Sequence, residues 1–473
     1  MSKMIYQPTW ESLNQHKIPK WFMDSKLGIF IHWGVYSVPG WAPLYTNKKD
    51  YYNERIGYHP YAELYGYGML YKKTPVWKYH VEKYGASFQY DDFIPKFKAE
   101  NWNPGEWAKL FKETGAKYVV LVTKHSDGYC MWPTKQTSRN CFETGPHRDI
   151  TGDLSREIKA QDLKMGLYYS LTFNWYFENF PHINYRKLSH NQLKELINNY
   201  EPDILWSDDY WKPDEKSYST TWQSKDMIAY YYNQAKNSDQ VLVNDRWGRE
   251  ENGLQIGDFS TPEYKVLPKK TDFYWELTRG IGQSYGYNQN ETEKDYLTVS
   301  ELIKMLVDVV SKNGNMLLNV GPKADGTLCT HQEQRLKGLG EWLGVNGEAI
   351  YGTRTWVDAE GDATNGFDVR YTMKDEAVYA ILTGGPKSEV TIRDIRVKEN
   401  TRITLLGSGK SLDWKQKDDG LYIKFPEKLP CSHAYTLKIT PQPWKLMTKN
   451  EDSFLESKFG EIWRKTGFTK INI

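Results

Sequence analysis

Along the first three quarters of the chain, apolar residues gather into short runs that stop abruptly at polar ones, with helix-periodic segments between them. Continuous apolar runs bounded by turn signals predict strands buried on both faces, as in a parallel sheet. They fall at Leu27–Ile31, Tyr118–Val122, Met165–Tyr169, Ile204–Trp206, Val241–Val243 and Met316–Val320, with weaker runs near Tyr61–Tyr65 and Phe273–Leu277. Pro104-Gly105-Glu106-Trp107 opens a helix that Gly115 closes, and Gln192–Asn199 and Leu302–Val310 carry apolar residues at helical spacing. Eight strands alternating with helices over about 350 residues predict a (β/α)8-like barrel of the α/β class rather than an open doubly wound sheet. No GxGxxG turn follows the first strand, which argues against a dinucleotide fold.

After Trp356 the pattern changes. Short runs at Ala377–Leu382, Thr401–Leu406, Leu421–Phe425 and Tyr435–Ile439, separated by Gly, Asp, Lys and Pro clusters, predict a C-terminal antiparallel β-sandwich domain. The expected organisation is a barrel domain over 1–355, a sandwich over 356–447 and a tail over 448–473, where Leu455, Phe459, Ile462 and Trp463 recur at helical spacing. The length of 473 residues agrees with two cores, since one core rarely grows past about 250–300 residues.

Charge and composition narrow the partners. The formal charge of +2, from 62 basic and 60 acidic side chains, offers no extended field for nucleic acid or an anionic membrane, so a neutral ligand fits better. Aromatic residues make up 15% of the chain, including 19 Trp and 35 Tyr, and carbohydrate is the neutral ligand that uses aromatic faces. Cys130, Cys141, Cys329 and Cys431 are scattered and form no CxxC pair, so they read as buried thiols rather than a disulfide framework or zinc site. No run approaches the roughly 18 apolar residues of a membrane span, and Met1 to Trp21 lacks the apolar core of a signal peptide. The expectation is a soluble chain, cytoplasmic or secreted after loss of a leader, and compatible with a homo-oligomer.

Side chains at the C-terminal ends of barrel strands converge on one pocket, so the residues that end each run are the candidates. His32-Trp33 follows the first run, Lys124-His125-Ser126-Asp127 the next strong one, and Tyr168-Tyr169-Ser170 the one after. The run Ile204-Leu205-Trp206 ends in Ser207-Asp208-Asp209-Tyr210-Trp211, paired carboxylates flanked by tryptophans. Asn244-Asp245-Arg246-Trp247 closes the next, and Thr261-Pro262-Glu263-Tyr264 lies beyond it. Singly each has a bland reading: a lone histidine is more often a hydrogen-bonded core residue, Asp127-Gly128 a turn, Asp203 a strand support, and Asp245 with Arg246 an ion pair. Together, two carboxylates across a pocket of Trp, Tyr and His meet the need of glycoside cleavage, in which one acid protonates the leaving oxygen and the other attacks or activates water. Among 10 histidines there is no HxH or HExxH, and no GxSxG follows a strand, so neither a metal, a cofactor nor a serine nucleophile is expected.

The chain resembles the α-L-fucosidases of glycoside hydrolase family 29. The resemblance rests on Leu27-Gly28-Ile29-Phe30-Ile31-His32-Trp33-Gly34, Gly115 through His125, Gly145-Pro146-His147-Arg148-Asp149, Tyr200 through Asp208, Val243-Asn244-Asp245-Arg246-Trp247-Gly248 and Asn313 through Pro322. It covers about residue 8 to about 355 and implies a (β/α)8-like catalytic domain followed by a β-sandwich. It also implies an exo-acting retaining hydrolase that removes terminal α-linked L-fucose from oligosaccharides or glycoconjugates by double displacement.

Carried over, Asp208 is the expected nucleophile and Glu263 the general acid/base, with Glu276 the alternative for the second role. His32, Glu63, His125, Tyr169, Trp206 and Arg246 are expected to hold the sugar, Tyr168 being the alternative to Tyr169 because adjacent strand residues face opposite sides. Two positions depart from the family pattern: His125-Ser126 stands where many members have His-His, and Asp209 where many have glycine. These departures keep two other readings open, a fucose-binding homologue with little catalysis and a glycosidase of the same fold acting on another sugar. Linkage preference lies in loops such as Trp41–Tyr58 and Trp211–Trp222, which carry no transferable code.

Overall fold

The computed structural model describes residues 4–45, 57–171, 182–209, 219–248, 257–384 and 388–446, so the tail expected over 448–473 lies outside the described residues. The chain divides between Thr355 and Trp356 into two compact units. In the first unit, β1 (Leu27–Ile31), β2 (Tyr118–Lys124), β3 (Lys164–Ser170), β4 (Ile204–Asp208), β5 (Leu242–Val243), β6 (Trp275–Gly280) and β7 (Gly314–Val320) form one parallel sheet in the order β5-β4-β3-β2-β1-β7-β6. These strands are mostly apolar because helices cover one face and the barrel interior the other; every residue of β1, β2 and β7 is buried.

The edges β5 and β6 are joined by an irregular segment. Isolated parallel bridges pair Asn244 with Phe259, Ser260 with Trp275 and Glu263 with Thr278. Backbone hydrogen bonds from Asp258 N to Val243 O (2.9 Å), Glu276 N to Ser260 O (2.7 Å) and Thr278 N to Pro262 O (3.1 Å) complete the closure. Residues 258–264 therefore occupy the eighth place around the barrel. The strand expected near Tyr61–Tyr65 does not form: Ala62–Leu64 is a 3₁₀ turn running into a helical turn at Tyr65–Gly68. Its aromatic residues imitate a strand pattern, but their burial comes from packing above the rim, as in the Tyr61 and Tyr65 ring contacts.

The barrel interior is packed by Phe30, Tyr118, Val120, Tyr168, Trp206 and Phe259 among others, with Phe22 from the helix Lys20–Ser25 in the same cluster. The helices follow their end signals. Pro104–Glu113 starts on Asn103, whose Oδ1 accepts from the Gly105 and Glu106 amides, and ends before Gly115, which takes φ 93°. Val299–Ser311 starts on a capping box between Thr298 and Glu301.

The second unit is antiparallel. β8 (Arg354–Asp362), β9 (Asp368–Lys374), β10 (Ala377–Thr383), β11 (Glu389–Ile392), β12 (Ile395–Arg396), β13 (Arg402–Leu405), β14 (Trp414–Lys417), β15 (Gly420–Lys424), β16 (Ala434–Thr440) and β17 (Trp444–Lys445) make three sheets. Their orders are β13-β16-β10-β9-β8, β11-β15-β14 and β12-β17. Val378, Leu382 and Ile439 of the first share a core with Val390, Ile392 and Leu421 of the second, the packing of a sandwich.

Candidate active site

Alternation along β3 and β4 decides which side chains reach the pocket. In β4, Trp206 and Asp208 are two residues apart and share a face, and in β3 the neighbour on that face is Tyr168. The Tyr168 hydroxyl donates to Asp208 Oδ2 at 2.8 Å, and its ring stacks on Trp206 with centroids 5.5 Å apart. Tyr169, the expected sugar contact, points the other way. Its hydroxyl donates to Gln192 Oε1 at 2.7 Å and the Lys124 ammonium lies over its ring at 4.3 Å, which places it against the helix His182–Tyr200. The pocket residue of this pair is Tyr168.

Arg246 ties the pocket together. Its Nη1 donates to Asp208 Oδ1 at 3.1 Å and to Glu263 Oε1 at 2.7 Å. The two carboxylate oxygens are therefore within about 6 Å of each other, a bound that includes the separation of about 5–5.5 Å in retaining glycosidases. The guanidinium is held by Thr261, whose Oγ1 accepts from Nε at 2.8 Å and whose carbonyl accepts from Nη2 at 2.8 Å, and it lies 5.0 Å from the Trp206 ring centroid. Burial alone would depress the Arg246 pKa, but Glu263 and Asp208 outweigh it and push the pKa well above its ordinary value. Both carboxylates remain open to a ligand, with side chains 28% (Asp208) and 41% (Glu263) exposed.

The rest of the expected set surrounds this pair. His32 is buried at the end of β1, its Nδ1 2.6 Å from Asn319 Oδ1 and its ring 5.6 Å from that of His125. His125 stacks parallel to Tyr168 at 5.9 Å, and its Nδ1 is 3.0 Å from Ser126 Oγ. Burial lowers both imidazoles to about 3, helped by His125 in the case of His32 and by Lys124 in the case of His125, so both are neutral at physiological pH. Glu63 accepts from Gly286 N at 2.8 Å and Ser284 Oγ at 3.3 Å, and burial, with a smaller contribution from the Glu263 charge, raises it to about 7.

Two further residues are placed by the fold. Glu276, the alternative second acid, is fully buried inside the barrel with its carboxylate on Tyr118 and Trp206. Asp209 is buried, 4% exposed, immediately past the end of β4. Sequence reasoning passed over Tyr285 and Asn319. Tyr285 packs 4.8 Å from His32 and Asn319 fixes the His32 ring, and the only signal for Asn319 was its place at the end of the β7 run. Among the described residues no cluster of three or more His, Cys, Asp or Glu is arranged to hold a metal ion, and no helix is long and apolar enough to cross a membrane.

Comparison with known proteins gives the family. The family model for α-L-fucosidase matches residues 1–348, and the model for the α-L-fucosidase C-terminal domain matches 362–440. The chain is 36% identical to the tissue α-L-fucosidase of Rattus norvegicus over 455 residues, covering 92% of each chain, and 36% identical to that of Homo sapiens with the same coverage. Among solved structures it is similar to Thermotoga maritima α-fucosidase in complex with a mechanism-based inhibitor, at 40% identity and a TM-score of 0.81, covering 92% of this chain and 99% of that one. With both of its parts matched in order and relatives aligned over nearly their whole length, the chain belongs to the α-L-fucosidase family of glycoside hydrolases.

Proposed function

We propose that the protein is an exo-acting retaining α-L-fucosidase that removes terminal α-linked L-fucose from oligosaccharides or glycoconjugates by double displacement. The observation that carries the reading is Arg246 Nη1 bound to both Asp208 and Glu263, which sets two accessible carboxylates on either side of one cation. In the first step Glu263 gives its proton to the glycosidic oxygen as the bond to the aglycone breaks, and Asp208 forms a bond to the anomeric carbon. In the second, Glu263 takes a proton from water as the water oxygen displaces Asp208, restoring both side chains. Arg246 sets its positive charge against both Asp208 and Glu263 and so offsets the repulsion between them as negative charge moves from one to the other.

The neutral histidines suit hydroxyl recognition. Asn319 Nδ2 donates to the Tyr285 carbonyl at 2.6 Å, which turns its Oδ1 to His32 and makes Nδ1 the protonated nitrogen. The His32 Nε2 is then an acceptor for a sugar hydroxyl. Glu63, with a pKa near 7, supplies a carboxyl that donates or accepts according to pH, whereas Trp206, expected to hold the sugar, is 1% exposed and supports Tyr168 and Arg246 from within the barrel instead.

Release of nitrophenol from an aryl α-L-fucoside tests the activity, and α-L-fucose as the first-formed anomer tests retention. Asp208→Gly lowers the rate by about 10⁴-fold or more, and azide restores aglycone release while forming β-L-fucosyl azide. Fucose binding with no turnover in the unaltered protein refutes the proposal, and a first-formed β-anomer refutes its retaining mechanism.

A further inference from the structure

We infer that Glu276 is a positioning residue for the reaction: from inside the barrel it fixes the indole of Trp206, and the indole in turn sets Tyr168 and Arg246 against Asp208. The inference rests on the reading of Asp208 and Glu263 given above and extends it to a residue that touches no substrate.

Both oxygens of Glu276 are committed to aromatic donors. Oε1 accepts from Trp206 Nε1 at 3.0 Å and Oε2 accepts from the Tyr118 hydroxyl. The side chain is completely buried, and among the described residues no Lys, Arg or His lies within ion-pair distance of it. A carboxyl in such a place costs free energy that a hydrophobic side chain of similar volume would avoid, so packing alone does not explain it. The barrel makes room for the arrangement: a Cβ on Gly28 would stand 2.3 Å from the Tyr118 ring that reaches Glu276.

The contact leads directly to the pocket. Trp206 stacks on Tyr168 with centroids 5.5 Å apart and lies 5.0 Å from the Arg246 guanidinium. Tyr168 and Arg246 supply the two side-chain hydrogen bonds described for Asp208, at 2.8 and 3.1 Å, and Arg246 also reaches Glu263 at 2.7 Å. An indole turned out of plane takes the supports of both carboxylates with it. Nε1–H has one described partner, so Glu276 fixes the orientation of the indole edge while Phe30 and Tyr168 pack its ring.

The test is a double-mutant cycle read by kinetics on aryl α-L-fucosides of graded leaving-group pKa, using Glu276→Leu, Glu276→Gln and Trp206→Phe. Glu276→Leu is expected to lower kcat about 10²-fold by the same factor on good and poor leaving groups, without azide rescue. Glu276→Gln, which keeps an acceptor for the indole, is expected to stay within about 10-fold of the unaltered protein and serves as the cycle partner should the leucine variant not fold. In the Trp206→Phe background, either Glu276 substitution should cost less than about 3-fold more, because the group it acts through is gone.

Three results overturn the inference. Undiminished turnover in Glu276→Leu removes any role, a full-sized loss in the Trp206→Phe background shows action by another route, and azide rescue with a steepened leaving-group dependence makes Glu276 the acid itself. Asp208→Asn, run alongside, separates the two levels. If Asp208→Asn retains full turnover, the site reading and this inference fall together. If it is inactive and the cycle shows no coupling, this inference falls alone.

Discussion

From β1 to β4 each polar side chain at the pocket sits at or just beyond the end of a strand of five to seven residues, whereas between β5 and β6 Arg246 and Glu263 ride on backbone joined by a two-residue strand and isolated bridges. The regular side presents His32, His125, Tyr168 and Asp208 on a continuous ladder of backbone hydrogen bonds. The irregular side compensates with side chains: Thr261 holds Arg246, Asn244 spans to Ser207 through Oδ1 and Nδ2 at 2.8 and 2.7 Å, and Asp258 accepts from Val243 N at 2.7 Å. The Tyr264 backbone, at φ 50°, takes the left-handed turn that ends the segment just after Glu263. Precision is therefore inherited from the sheet on one side and assembled from individual hydrogen bonds on the other, so substitutions of supporting residues, the nucleophile apart, should act on function most directly on the irregular side.

After the loss of Asp208 itself, the largest effect tests that side. Glu263→Ala should reduce kcat/KM by about 10²–10⁴-fold on poor leaving groups and by much less on activated ones, read from a leaving-group series. An equal loss across the series would mean that Glu263 only supports Arg246. Next comes Thr261→Val, which deprives Arg246 Nε of its acceptor and Asp245 Oδ1 of its 2.6 Å donor. Two unsatisfied buried groups predict a fall of about 10²-fold in kcat/KM, with a thermal midpoint that drops only a few degrees. A large stability loss with normal kinetics in the surviving fraction would show that the irregular segment is a structural closure and nothing more.

On the regular side the adjacent pair Tyr168 and Tyr169 gives a sharper contrast. Tyr168→Phe removes one hydrogen bond to Asp208 and should cost about 10-fold in kcat/KM, whereas Tyr169→Phe should leave kinetics within about 2-fold and lower stability by about 1 kcal/mol through Gln192. Reversed results would mean that β3 is set one residue out of register. The smallest effect is a pH dependence. Glu276 has its pKa raised by burial from 4.5 to about 7, so its contribution to stability is complete below pH 4.5 and is lost as pH rises through 7. Relative to the unaltered protein, Glu276→Gln should therefore gain stability between pH 4.5 and 7, by at most about 1.4 kcal/mol per pH unit, and level off above. A difference independent of pH in denaturation curves would show an unshifted, solvated carboxyl.

Much of this molecule was legible from one dimension. The parallel strands announce themselves as apolar runs because a strand covered on both faces has no polar side to show, and four of the sandwich strands, β10, β13, β15 and β16, were legible because turn clusters separate them, while β8, β9, β11, β12, β14 and β17 were not named. The place of Trp206 and Asp208 at the end of a buried strand was legible for the same reason. The eighth position was not. Residues 258–264 contain Pro262, the acidic Glu263 and no apolar run, so their place in the barrel comes from the edges of β5 and β6 accepting them, and the aromatic residues at 61–65 imitated a strand that does not form. Which of Tyr168 and Tyr169 faces Asp208, and which of Glu263 and Glu276 is exposed, also waited for the folded chain. Which face a residue takes depends on the register of its strand, and which carboxyl meets solvent depends on what covers it, and both are fixed only by distant segments packed around them.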